Sequence, residues 1–465
     1  MVAFLDLPLE LLPVIFDSVA SPPHLGSLCL VNRSFNQFAI QRLYQRIYCY
    51  AWHSNAKLKV VRLFQTLSTC PQLARYVSRL EIRAFPKGLP ALEHNRLLDL
   101  CIRGIRNCTN LKSCAWTRDG SFGSTTLQAL QQCPQLKELE INGHDSGFYN
   151  PIILAHFSNL SKISLIMPSA QVIEVLPSWI STTGSTLRNL TIICKASILI
   201  TDTLLQSIAL SMTQLEQFHI SGCPRVTDRG VGEIVSTNRN GLTGIGLEGL
   251  SQTFDMSRFS GICKGHHAFG RLTSITLMVY INTPLQTWMS DVAELLSTAP
   301  LERFQVYATT MISQASVTDE FWKTIVTMHG SRLKRFSVHR IEISLDALHD
   351  ICSRCAVLEE LFILADRHDL DGVAQCFAAA QNLRTIHVNF PFEECAMAEP
   401  EFMMNDALHI IRQCPATVMQ IGCQTKVWQV KREVRMNDKA ELYVEPTLSR
   451  YESPDIPEQL LVIRT

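Results

Sequence analysis

A six-residue phrase recurs along this chain: a leucine, two polar or small residues, a second apolar residue, one polar residue, and a third apolar residue. It reads Leu136-Lys137-Glu138-Leu139-Glu140-Ile141, then Leu160-Ser161-Lys162-Ile163-Ser164-Leu165, then Leu215-Glu216-Gln217-Phe218-His219-Ile220, and later Leu383-Arg384-Thr385-Ile386-His387-Val388. Units start at Val77, Leu111, Leu136, Leu160, Leu187, Leu215, Leu242, Leu272, Leu301, Leu333, Leu358 and Leu383, with a degenerate one at Val418. A return every ~24–35 residues means that one short strand and one longer element are stacked repeatedly, because a lone unit cannot bury its apolar side. Such an arrangement favours a binding surface over a catalytic pocket.

Between the phrases lie amphipathic stretches such as Thr203-Leu204-Leu205-Gln206-Ser207-Ile208-Ala209-Leu210, whose apolar spacing predicts a helix. Thr201-Asp202, Thr227-Asp228 and Thr318-Asp319 offer side-chain oxygens to the free N–H groups of a first turn and so predict helix starts. At 465 residues the chain exceeds one compact core, a limit that stacking removes because each repeat packs on its neighbours.

The composition narrows the partners. Forty-two basic residues balance forty-two acidic ones, so no general field attracts nucleic acid or an anionic membrane. Asp6 and Glu10 interrupt the first apolar stretch, no basic leader precedes it, and no apolar run reaches the ~18–20 residues of a membrane span. The expectation is a soluble protein of the cytoplasm, the nucleus or both. Many of the sixteen cysteines, including Cys108, Cys133, Cys355 and Cys414, share one position of the repeat. They are expected as reduced thiols acting as small apolar groups.

Alternation along each strand sends the side chains between the apolar positions to the opposite, concave face. That rule selects Arg79, Glu81 and Arg83; Glu138, Glu140 and Asn142; Gln217, His219 and Ser221; and Gly244, Gly246 and Glu248. It continues with Arg303, Gln305 and Tyr307; Arg335, Ser337 and His339; and Glu360, Phe362 and Leu364. Arg303, Tyr307, Arg335, His339 and Phe362 stand out as a candidate target-binding patch. Arginines beside aromatic rings suit an acidic or phosphorylated segment with an apolar anchor.

The phrase, the recurring cysteine and the Thr-Asp helix start are seen together in Leu215-Glu216-Gln217-Phe218-His219-Ile220-Ser221-Gly222-Cys223-Pro224-Arg225-Val226-Thr227-Asp228-Arg229-Gly230-Val231. This resembles the cysteine-containing leucine-rich repeats, over roughly three-quarters of the chain. The fold class expected is α/β: a leucine-rich-repeat solenoid, a curved parallel sheet with outer helices, over residues 51–425.

The first fifty residues differ. Pro8 suits a first helical turn, and Leu11, Leu12, Ile15, Phe16 and Val19 fall on one side of a helix that Pro22-Pro23 should end. Leu25, Leu28 and Val31 outline a second helix, and Phe35, Phe38, Ala39, Leu43 and Tyr44 a third. Three short helices enclose little core, so apolar surface should remain for a partner. With its Leu-Pro-x-Glu-Leu-Leu-x-x-Ile-Phe opening and Leu-Cys-Leu-Val-Asn-Arg-Ser-Phe at positions 28 to 35, this segment resembles the F-box. That family docks on a Skp-type linker protein, which joins it to a cullin scaffold and a RING subunit. The resemblance assigns linker docking to Leu7, Pro8, Glu10, Leu11, Ile15, Leu28, Val31 and Phe35. An F-box followed by leucine-rich repeats recurs in substrate receptors of Skp–cullin–F-box ubiquitin ligases. A non-catalytic adaptor holding a protein target is the expectation; a linker complex without a ligase, a plain repeat scaffold and an enzyme are the alternatives.

Lys57 to Leu67 predicts a helix leading without a flexible linker into a first repeat strand at Arg79–Ile82. At the other end Val430, Arg432, Val434 and Met436, the pair Asn437-Asp438, then Ala440, Leu442 and Val444 predict a β-hairpin covering the sheet edge, with a poorly ordered tail from Pro446. Gly244-Ile245-Gly246-Leu247-Glu248-Gly249 matches a dinucleotide fingerprint in letters, but it lies in phase with a repeat strand and no apolar helix follows. Its glycines are expected to leave a gap in the concave row. Cys352 and Cys355 have no second pair nearby and fit repeat positions, and Cys263 with His266 and His267 offers metal-ligand types in an expected loop, where solvent-exposed histidines are the commoner outcome. No cofactor, metal or catalytic residue is expected.

Overall fold

The structure is a computed structural model that describes residues 10–19, 21–238, 240–312, 315–390, 404–424, 426–437 and 441–451. The chain divides into two compact units, one holding Met1–Cys194 and the other Lys195–Glu452.

The first unit opens with three helices, α1 (Leu11–Asp17), α2 (Pro22–Cys29) and α3 (Arg33–Gln45). Strand and helix then alternate: β1 (Arg46–Cys49), α4 (Ala56–Thr69), α5 (Pro71–Ala74), β2 (Arg79–Ile82), α6 (Ala91–Asn107), β3 (Ser113–Trp116), α7 (Ser124–Gln131) and β4 (Glu138–Asn142). A 3₁₀ turn at Pro151–His156 replaces the next helix, and β5 (Lys162–Ile166), α8 (Ala170–Thr183) and β6 (Asn189–Ile193) complete the unit. Consecutive strands pair in parallel, each residue beside its counterpart one repeat on: Leu80 with Cys114, Cys114 with Leu139, Leu139 with Ile163.

The second unit continues the alternation with α9 (Asp202–Ala209), β7 (Gln217–Ser221), α10 (Asp228–Thr237), β8 (Gly244–Glu248), α11 (Met256–Gly265), β9 (Ser274–Val279), α12 (Leu285–Leu296) and β10 (Arg303–Ile312). Then come α13 (Ala315–His329), β11 (Arg335–Glu342), α14 (Leu345–Arg354), β12 (Glu360–Leu364), α15 (Leu370–Ala379), β13 (Thr385–Asn389), α16 (Met404–Gln413) and β14 (Gln420–Cys423). Strands β7 to β14 are parallel neighbours in chain order. The antiparallel β15 (Lys426–Met436) and β16 (Leu442–Arg450) close the sheet edge, with β15 paired to β14. The tail expected from Pro446 is instead strand through Arg450, with Pro446 opposite Arg432. Asp438 and Ala440 of the expected turn lie outside the described residues.

The recurring phrase sets the register throughout. Every strand from β2 to β14 begins two residues after the first apolar residue of its phrase: Val77 before Arg79, Leu111 before Ser113, Val418 before Gln420. The first apolar residue closes the preceding turn, as where the Leu111 N–H donates to the Cys108 carbonyl, and the second and third face the helices, where Leu80, Ile82, Leu139, Ile141, Phe304 and Val306 are buried. The repeats in each unit thus have the α/β, leucine-rich-repeat architecture read from the sequence.

Two expectations about helix starts change. Pro22-Pro23 occupy the first positions of α2 after Ser21, where the missing N–H costs nothing, so they open a helix as well as following one. Thr318-Asp319 lie inside α13, which begins at Ala315. Thr201 and Thr227 do cap their helices, accepting from the N–H groups of Leu204 and Arg229. Among the described residues, no helix is long and apolar enough to cross a membrane.

Candidate functional site

The N-terminal helices pack on a small core of Leu12, Phe16, Phe35 and Ala39, with Ile15, Leu28, Cys29 and Phe38 against it. Phe16 and Phe35 meet edge to face at 5.3 Å. Asn32 fixes the entry to α3 by accepting from the Phe35 N–H at 2.9 Å, and this turns the Phe35 ring inward. Phe35, expected to dock a partner, is 8% exposed and belongs to the core. Of the other docking candidates, Glu10, Leu11 and Val31 are exposed, Ile15 and Leu28 are half-buried, and Leu7 and Pro8 lie outside the described residues.

The apolar surface left open also includes residues that periodicity did not select. Leu30 is 87% exposed, Val14 68%, Val31 58% and Leu11 43%. A core this small cannot cover every apolar side chain on three short helices. The signal for Leu30 was present in the run Leu28-Cys29-Leu30-Val31, where neighbouring apolar residues point in different directions from a helix end.

No linker separates these helices from the repeats, because α3 ends at Gln45 and β1 begins at Arg46. The first repeat strand is therefore β1, ahead of the expected one at Arg79–Ile82. Glu81 fastens the join. Its carboxylate is nearly fully buried, 2.9 Å from Arg46 Nε, 2.8 Å from Arg79 Nε and 2.8 Å from the donating Tyr50 hydroxyl. Burial alone would raise its pKa; the two guanidinium groups and the Tyr50 bond outweigh that and hold it below the usual range. Next to it, Arg83 Nη1 lies 2.7 Å from Glu140 Oε1. Glu81 and Arg83, expected on an open face, are thus buried in an ionic network.

In the second unit the face opposite the helices is also more filled than alternation predicts. The His219 ring leans across Gly246 to place Nε2 2.8 Å from Glu248 Oε1, and a Cβ at Gly246 would sit 2.8 Å from the ring. The glycine is bare so that histidine can cross it, and no gap remains. Further along, the Tyr307 and His339 rings stack at 4.5 Å with 7° between planes, and Phe362 stacks on His387 at 5.7 Å. His339 and Phe362 lie 6.1 Å apart, and the Arg335 guanidinium sits 4.9 Å above the Phe362 ring. Parallel strands in register bring equivalent side chains within van der Waals reach, so the aromatic rows cover one another. Phe362 is 3% exposed as a result and is no open anchor; Gln305 and Ser337 are likewise buried.

Burial, with the charges of His387, Arg335 and Arg340 added, pushes the His339 pKa down to about 3, so its ring is neutral at pH 7. Its Nε2 lies 2.9 Å from the Ser337 hydroxyl. Arg303 remains exposed, and Arg335 is 3.6 Å from Glu360. The patch is a row of stacked rings with Arg303 exposed at its edge. Cys352 and Cys355 are buried, and burial pushes the Cys355 thiol up to about 12.

Comparison with known proteins bears on the N-terminus first: residues 4–50 match the F-box-like family. No curated protein matches the chain. Among solved structures, the leucine-rich repeat-containing protein LegL7 from Legionella pneumophila aligns at 8% identity and a TM-score of 0.40, over 65% of this chain and 97% of that one. A chain from the Rad7 and Elc1 complex in yeast aligns at 14% identity and a TM-score of 0.40, over 84% of this chain and 91% of that one. The chain carries an F-box-like domain at its N-terminus, joined directly to repeats of the leucine-rich type.

Proposed function

We propose that this protein is the substrate-recognition adaptor of a Skp–cullin–F-box ubiquitin ligase. Its N-terminal domain takes a Skp-type linker, and through it cullin and RING subunits, while the repeat face holds a protein target. The observation that carries this reading is the set of exposed apolar side chains, Leu11, Val14, Leu30 and Val31, in the segment that matches the F-box-like family. Exposed apolar side chains beside a small core are what a docking surface presents before its partner covers it.

In this reading the chain performs no bond chemistry. Its contribution to rate is proximity: a target lysine held near a charged carrier reacts as though highly concentrated. The proposed target contacts are the exposed Arg303 and the accessible parts of the half-buried Arg335, Tyr307 and His339, with the buried Phe362 packed against them. The direct run of α3 into β1 and the Glu81 network support a rigid link between the docking domain and the first repeats.

Affinity purification of the full chain tests the proposal. Linker and cullin together are expected with the wild type, and neither with a Leu30→Asp/Val31→Asp variant. Linker without cullin would favour a ligase-free complex, and absence of both would overturn the reading.

A further inference from the structure

A cleft of about 600 Å³ opens between the N-terminal helices and the turns that precede β2, β3 and β4. Its size falls within the ~300–1,000 Å³ of ligand-binding pockets. Its lining leaves out the exposed apolar residues named above: Pro13 and Asp17 line it from one side of α1, whereas Leu11 and Val14 project from another. Pro13, Phe38 and the 37%-exposed Tyr76 supply apolar surface.

The charge in this cleft is one-sided. Among the described residues Arg42, Arg75 and Lys112 line it, against a single carboxylate, Asp17. Arg42 takes that carboxylate at 3.5 Å and the Gln45 side-chain carbonyl at 2.7 Å. Arg75 and Lys112 are exposed and make no ion pair among the described residues, so two positive charges face the opening uncompensated. The chain as a whole is neutral, which makes the local excess a property of this site.

We infer that this cleft docks an acidic peptide segment with an apolar side chain, supplied by a partner protein. Carboxylates meet Arg75 and Lys112, and the apolar side chain lies against Pro13, Phe38 and Tyr76. Two free cations and an apolar wall fit a short peptide; a nucleic acid draws its affinity from many phosphate contacts, which this cleft does not offer. The inference is independent of the ligase reading, since it requires neither linker nor cullin.

The test uses the purified full chain and a fluorescein-labelled Glu-Glu-Leu-Glu-Glu peptide, followed by anisotropy. Expected are saturable binding that weakens with salt, affinity about tenfold lower for Gln-Gln-Leu-Gln-Gln, and a similar loss in an Arg75→Gln/Lys112→Gln variant with an unchanged urea midpoint. No binding by the wild type, equal binding of both peptides, or full binding by the double variant would overturn the inference. Tighter binding of a single-stranded oligonucleotide would overturn the choice of a protein ligand. A chain truncated after Tyr451 that binds the peptide much more tightly than the full chain would overturn the partner assignment and give the cleft to the chain's own acidic C-terminal segment.

Discussion

The Asp202 carboxylate accepts the backbone N–H of Thr227 at 2.8 Å and its hydroxyl at 2.6 Å, so the first turn of one repeat helix holds the cap of the next. A third bond comes from the Gly230 N–H at 3.2 Å. A related bond to the next helix cap is made by Asp319, inside α13, which accepts from Ser344 at 2.7 Å, and by Asp145, in the loop after β4, which accepts from Ser169. Each aspartate thus serves the following helix, which explains why Thr318-Asp319 retains the motif without starting α13.

Asp202→Ala should lower the stability of the second unit by about 2 kcal/mol, because it strands two N–H groups and a hydroxyl. Urea unfolding followed by circular dichroism measures it. Asp202→Asn, which still accepts from a backbone N–H, should lose less. An unchanged midpoint in the alanine variant would contradict a stabilising link between repeats.

Phe35 and Val31 stand close in sequence and should behave oppositely. Phe35→Ala removes a ring from a four-residue core and should cost about 3–5 kcal/mol, enough to unfold the N-terminal domain in thermal melts. Val31→Asp replaces a residue that is 58% exposed and should leave the melt unchanged. Equal effects would place both on the same side of the domain and contradict the packing.

The phrase that fixed every strand from β2 to β14 is legible because a period of two within the strand and a long period between strands cannot both arise without stacking. β1 was missed: Arg46-Ile47-Tyr48-Cys49 lacks the leucine phrase and relies on pairing with β2. The faces were only half legible. Alternation tells which way a side chain leaves the strand but not whether its neighbours cover it, and so Glu81, Gln305 and Phe362 look open in sequence and are buried in the fold. Pairings such as His219 across Gly246 need the neighbouring repeat to be in place.

His329, at the end of α13, is 1% exposed, and neither ring nitrogen has a hydrogen-bond partner among the described residues. Burial, and secondarily Arg332, pushes its pKa down to about 4. The unfolded chain, with a histidine near ~6.5, takes up the proton first as pH falls. Stability is therefore full above about 6.5 and declines toward about 4, with His339 acting in the same direction down to about 3. His329→Leu should flatten the fall in urea midpoint between pH 7 and pH 5; an unaltered slope would contradict a buried neutral ring.

All fifteen described cysteines are free, and most are buried. Burial pushes Cys108, Cys355 and Cys414 up to about 12 and Cys133 up to about 11. Among the described cysteines, thiol labelling of the native protein at pH 8 should modify the partly exposed Cys70 first and leave Cys101, Cys108 and Cys133 intact until denaturant is added. Rapid native labelling of Cys108 would mean that the repeat core opens readily. Mass spectrometry of the labelled peptides distinguishes the two.

Docking of a Skp-type linker on the N-terminal helices is the claim on which the adaptor reading depends, and calorimetric titration of a purified linker into the purified chain tests it most directly. Expected are one linker per chain, retained affinity in Arg303→Glu, and at least about a hundredfold weaker binding in Leu30→Asp/Val31→Asp, whose melt is unchanged. Undiminished binding by that double variant, or no binding by the wild type, would contradict the claim.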